Sequence, residues 1–156
     1  MIKINNVLSN KERKELITLC KPLCVVVASR PAKQTSHLLH THPDINKYVR
    51  LIGEKITQKL GLPIEIKKTW VNEDRGYKKD IFWHNHPQVD LTAVYYMQTL
   101  PLINSGTLFE DKFVRCKQNS VLLFPGSIVH GTPSYPFHWI KRYTLAIDMR
   151  VDNKYP

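Results

Sequence analysis

The chain has 156 residues, enough for one domain and too few for a second of ordinary size. Apolar residues make up 42% and charged residues 23%, which excludes wholesale disorder, and no apolar run approaches the ~18 residues of a membrane span. Lys and Arg total 23 against 13 Asp and Glu, a net charge of +10 that favours polyanions or acidic small molecules, although the lysines are scattered enough to form only a basic, soluble surface.

From the N-terminus, Met1 to Asn6 carries no apolar leader, which points to a cytoplasmic protein, in the host cytoplasm if phage-encoded. Ser9-Asn10-Lys11-Glu12 is a capping-box pattern and predicts a helix over about 10–20, ended by Pro22. The three cysteines, Cys20, Cys24 and Cys116, read as reduced structural thiols, because Pro22 breaks the helical spacing that would let Cys20 and Cys24 share a metal. Cys24 to Ala28 is a β-branched run and predicts a short strand. Ile45, Tyr48, Val49, Ile52, Ile56 and Leu60 follow helical spacing, with Asp44 placed as N-cap and Gly61 as the stop.

Beyond Gly61 the period changes to two. Ile64 and Ile66 alternate with charged residues, and Trp70 and Asn72 continue the face. Further strands are predicted at Ile81–His86, Leu91–Met97, Phe113–Cys116, Val121–Phe124 and Ile140–Met149, separated by turn residues such as Arg75-Gly76, Asn104-Ser105-Gly106 and Pro125-Gly126. The expected plan is one domain over 1–156: a helical portion to about 62, then a mainly β sandwich or barrel over about 63–150, with the helices on one outer face.

Five of the seven histidines fall in two clusters, His37-x-x-His40-x-His42 and His84-Asn85-His86-Pro87. On a strand, His84 and His86 share a face, and Pro87 puts them at its end. His130 follows the turn after an apolar strand, so two close imidazoles and a distant third form a first-row metal pattern; the alternative is histidines that bind nothing. Asp44 gives the first cluster a simpler role, as the start of a helix. In Ile140–Met149, Tyr143, Leu145 and Ile147 form one face and Arg142, Thr144, Ala146 and Asp148 the other. If that second face lines the barrel, Arg142 needs an anionic partner there, either Asp148 or the carboxylate of a ligand, with Thr144 adding a hydroxyl.

Several segments together carry a resemblance. They are Trp70-x-Asn72, His84-Asn85-His86-Pro87, Leu91 to Met97, Gly106-Thr107-Leu108-Phe109, Leu123-Phe124-Pro125-Gly126 before His130, and Arg142-x-Thr144 twelve residues later; Asn6-Val7-Leu8-Ser9 fits the usual opening. In this order the chain resembles the iron(II)/2-oxoglutarate-dependent oxygenases, in particular short microbial and phage members related to prolyl hydroxylases. The resemblance implies a double-stranded β-helix with Fe(II) at one mouth, held by His84 and His130. It also implies 2-oxoglutarate held by Arg142 and Thr144, with Tyr95 and Asn72 as further candidates. The family's usual ligand set is two histidines and a carboxylate, but the acid's place is taken here by His86, so His86 is the expected third ligand and Asp90 the alternative.

The implied activity is hydroxylation of a protein side chain, small molecule or nucleobase by dioxygen, with 2-oxoglutarate decarboxylated to succinate. The competing function is a cupin-like metal-binding protein in which His84, His86, Asp90 and His130 form a four-ligand set and Arg142-x-Thr144 has no role. A basic nucleic-acid binder is a third possibility, without any zinc-finger, helix-turn-helix or RNP pattern to support it. The span Glu73–Asp80 reads as a loop beside the mouth, able to close over substrate or simply exposed, and His138 as a residue near the site.

Overall fold

The structure, a computed structural model, describes residues 1–30, 32–76, 80–136 and 139–152. Tyr77 to Lys79 of the expected mouth loop, and His138, lie outside the described residues. Among the described residues ten strands form two antiparallel sheets. The large sheet has the order β1 (Ile2–Asn5), β8 (Ser120–Pro125), β5 (Leu91–Gln98), β10 (Lys141–Val151), β4 (Ile64–Arg75), β3 (Lys33–Gln34) and β2 (Val25–Val26). The small sheet is β7 (Phe113–Arg115), β6 (Gly106–Phe109) and β9 (His130–Gly131). This is the two-sheet β architecture expected from the strand spacing, in the jelly-roll form that the resemblance implies. Among the described residues no helix is long and apolar enough to cross a membrane.

The helices form where their local signals lie. Helix α1 (Asn10–Cys20) starts on a complete capping box: the Glu12 amide donates to Ser9 Oγ at 3.2 Å and the Ser9 amide to Glu12 Oε2 at 2.8 Å. Helix α2 (Asn46–Leu60) ends at Gly61, which takes a left-handed φ of 68° that its missing Cβ permits. Its N-cap is Ile45 rather than Asp44, since the Ile45 and Asn46 amides both turn back to the His42 carbonyl and no side chain caps the end.

Strand β10 is central, and its alternation sorts the interior. Tyr143, Leu145, Ile147 and Met149 join Val71, Ala93, Tyr95, Met97, Val121 and Leu123 on the face covered by α1 and α2. The helices contribute Leu16, Ile17, Val49, Ile52 and Ile56 to this core, each such side chain contributing about 1.5–3 kcal/mol by burial. The opposite face looks toward the small sheet. Val94, Tyr96, Leu122 and Phe124 pack there on Phe109 and Cys116 and fill one end of the sandwich. The other end stays open and polar.

Two expected strands differ. The Cys24–Ala28 run contributes only Val25 and Val26, an exposed edge. The segment Ile81–His86 is not a strand: His84 alone bridges to His130, and the next peptides cross to the turn after β8, so no continuous partner runs alongside.

Candidate metal centre

His84 and His130 exchange both backbone hydrogen bonds, His84 N to His130 O at 3.1 Å and His130 N to His84 O at 2.9 Å, which brings their ring centroids to 4.4 Å. His86 is fixed separately, its amide donating to the Gly126 carbonyl at 2.7 Å. Gly126 is required at that turn, because a Cβ would lie 2.6 Å from the His86 carbonyl oxygen and 2.5 Å from that of Val89. The two histidines therefore converge because their backbones are pinned to β9 and to the β8–β9 turn, and not because they share a strand face. The three rings offer nitrogens that all lie within 4.8 Å of one another.

Each ring is also oriented from behind. Nδ1 of His84 lies 3.2 Å from the Phe82 carbonyl and Nδ1 of His130 lies 3.0 Å from the Ile128 carbonyl. Carbonyls only accept, so both nitrogens carry the proton and Nε2 keeps its lone pair. Nδ1 of His86 meets Asp148 Oδ2 at 2.8 Å, and its Nε2 is buried with no hydrogen-bond partner among the described residues. An orphaned buried nitrogen beside two further imidazoles fits a metal ion. Burial pushes His130 down to about 4, helped by repulsion from His84 and His86, and burial lowers His84 too, so both are neutral, ligand-competent bases at pH 7.

The trio opens into a cavity of about 280 Å³ between the sheets. Asn72, Asp74, Arg142, Thr144, Ala146 and Asp148 line it, all on the cavity-facing parity of β4 and β10. Arg142, 1% exposed, lies directly opposite Asp74 in the ladder and donates from Nη1 to Asp74 Oδ2 at 3.0 Å and from Nη2 to the Gly106 carbonyl at 2.8 Å. Its buried Nε has no hydrogen-bond partner among the described residues. The anion expected beside Arg142 from this chain is thus Asp74 and not Asp148, whose carboxylate is taken by His86 and by Thr92 Oγ1 at 2.9 Å. Asp74 shares the parity of Trp70 and Asn72, so its alternation was a signal that could have placed it.

The remaining candidates separate. Asn72 reaches the cavity, where its Oδ1 accepts from Gln34 Nε2 at 2.6 Å, and Thr144 pairs across the ladders with Asn72 and Tyr96. Tyr95 does not reach it: this residue faces the helices, and its hydroxyl donates to Asn119 Oδ1 at 2.8 Å. One residue later the parity reverses, and Tyr96 packs on the cavity side with its hydroxyl 2.6 Å from Thr107 Oγ1. Asp90 is exposed and turned away, its Oδ2 accepting from the Val151 amide at 2.9 Å.

The first histidine cluster disperses. His40 bonds Thr69, His42 Nδ1 accepts from the Asp44 amide, and His37 packs on Trp70 at the cavity rim near Arg30 and Lys68. All three cysteines are free, and burial pushes the Cys20 thiol up to about 12, as expected for unreactive structural thiols.

No family model and no curated protein matches the chain. Solved structures do. HygX from Streptomyces hygroscopicus, with nickel and 2-oxoglutarate bound, superposes with a TM-score of 0.75 at 11% identity, over 97% of this chain and 83% of that one. The viral collagen prolyl hydroxylase of Paramecium Bursaria Chlorella virus-1, as its 2-oxoglutarate complex, gives 0.66 at 18% identity, over 96% and 94%. EctD from S. alaskensis with bound iron gives 0.69 at 13% identity, over 96% and 72%. The chain therefore shares the fold of these proteins, a double-stranded β-helix.

Proposed function

We propose that this protein is an iron(II)- and 2-oxoglutarate-dependent dioxygenase that hydroxylates a substrate while 2-oxoglutarate is converted to succinate and carbon dioxide. The observation that carries the reading is the convergence of His84, His86 and His130 on the cavity that also receives Arg142 and Thr144. Iron(II) held there supplies activation of dioxygen, coupled to decarboxylation of the 2-oxo acid. His84, His86 and His130 would hold it through Nε2.

The other residues position the reactants. Arg142 and Thr144 receive the distal carboxylate of 2-oxoglutarate, with Arg142 Nε free to donate. Its immobile stem spares the cosubstrate most of the ordering cost of a flexible anchor. Asn72 and Gln34 hold each other's amides at the side of the cavity. The rim, with Arg30, His37 and Lys68, is where the second substrate enters, whether a protein side chain, a small molecule or a nucleobase.

The test is uncoupled turnover. The purified chain with iron(II), 2-oxoglutarate and air is expected to form succinate slowly without any added substrate, and His130→Ala is expected to form none. Absence of succinate in iron-saturated, folded protein argues against the assignment. One observation favours the cupin-like alternative, a metal protein without 2-oxoglutarate: Arg142 already has a carboxylate partner in Asp74. Arg142→Ala separates the two, since the oxygenase reading expects metal binding kept and 2-oxoglutarate binding lost.

A further inference from the structure

Three imidazoles carry no charge, so a divalent metal bound by them alone keeps its full charge, unlike one bound by two histidines and a carboxylate. The three rings are not equivalent from behind, however. His84 and His130 rest on backbone carbonyls, whereas His86 rests on a carboxylate. Asp148 is 4% exposed, and its two oxygens go to His86 Nδ1 and Thr92 Oγ1. Among the described residues no Lys or Arg forms an ion pair with it; its one ionic contact is His86.

A carboxylate taken out of water is destabilised unless a cation compensates it. A hydroxyl and an imidazole are not permanent cations; a metal ion held on His86 Nε2, which has no hydrogen-bond partner among the described residues, would supply the compensating charge. The backbone is shaped for this contact: the β4–β10 register slips between Asp148 and Met149, where Lys67 is the extra residue on β4. Such bulges re-aim a side chain.

We propose that Asp148 is a positioning residue that supplies, through His86, the negative charge that the metal's own ligand set lacks. It holds the Nδ1 proton, fixes Nε2 as the ligating atom and raises the basicity of the ring. The carboxylate that the ligand pattern omits at position 86 is thereby present one hydrogen bond behind it. This rests on the metal-site reading above.

Cobalt(II) titration of three proteins tests it: the wild type, Asp148→Asn, and the double variant His86→Asp/Asp148→Asn. Asp148→Asn keeps shape and removes charge, and is expected to weaken cobalt binding about 10–100-fold with a shifted visible spectrum. The double variant moves the carboxylate onto the ligand position and is expected to return to within about threefold of wild type, which a purely structural anchor would not allow. A second measurement needs no variant: in the zinc-loaded wild type, ¹⁵N-resolved NMR is expected to show the His86 Nδ1 proton far downfield. Equal cobalt affinity in wild type and Asp148→Asn overturns the proposal, as does a double variant no better than Asp148→Asn, or a zinc-bound His86 without a proton on Nδ1. A wild type that takes up no cobalt overturns the metal-site reading together with it.

Discussion

Asp74→Asn isolates the charge balance of the cavity. Arg142 and Asp74 are each 1% exposed and meet at 3.0 Å, so the substitution leaves a guanidinium buried with no anion beside it. Removing one partner of a buried pair costs about 3–5 kcal/mol, and the lower figure applies here because the Asn oxygen and the Gly106 carbonyl still accept. For a chain of this length, about 3 kcal/mol lowers the melting temperature by about 6–12 °C. The deficit is one that 2-oxoglutarate should repair. A ligand at 100 times its Kd adds about 2.7 kcal/mol to any protein that binds it, and its carboxylate meets an uncompensated cation only in the variant. Thermal melts of the nickel(II)-loaded proteins, with and without 2-oxoglutarate, are therefore expected to show a larger cosubstrate shift for Asp74→Asn than for wild type. A variant that melts within a degree of wild type, or that gains no more from 2-oxoglutarate, would refute this account of Arg142.

Further outcomes follow from the same geometry. His86→Ala is expected to abolish cobalt(II) uptake while Asp90→Ala binds as wild type does; the reverse pattern would return the third ligand to Asp90. His130 titrates near 4 in the fold against 6.5 when free, so an unfolded chain takes up its proton first as pH falls. The metal-free protein should thus keep this contribution above pH 6.5 and lose up to about 3 kcal/mol as pH drops through 4, read from urea midpoints; a flat profile that His130→Asn does not change would contradict the burial argument. Tyr95→Phe removes one hydrogen bond to Asn119 and should cost about 1 kcal/mol of stability with the 2-oxoglutarate Kd unchanged by calorimetry. A weakened Kd would put Tyr95 back in the cavity.

What was legible in the sequence was local. The capping box at Ser9, the helical spacing into Gly61 and the alternation of β10 each depend on a few adjacent residues, and each appears as read. What escaped depends on partners far along the chain. Strand β1 is four residues that hold only because β8 lies beside them. Ile81–His86 alternates like a strand, yet its peptides are shared between β9 and the β8–β9 turn. The Arg142–Asp74 pair is set by register across 68 residues, and the His86–Asp148 pair across 62, so side-chain chemistry alone named the charges without matching them. Tyr95 and Tyr96 show the limit most sharply, because adjacent identical residues take opposite faces and only the packing of the helices decides which is which.

Anaerobic titration with iron(II) and then 2-oxoglutarate measures the central claim, that the three imidazoles and Arg142 serve one centre. The account predicts a visible metal-to-ligand charge-transfer band that appears only when both are present, saturates at one equivalent of each, and is lost in His130→Ala. A folded, iron-saturated protein that develops no band at excess 2-oxoglutarate would contradict it.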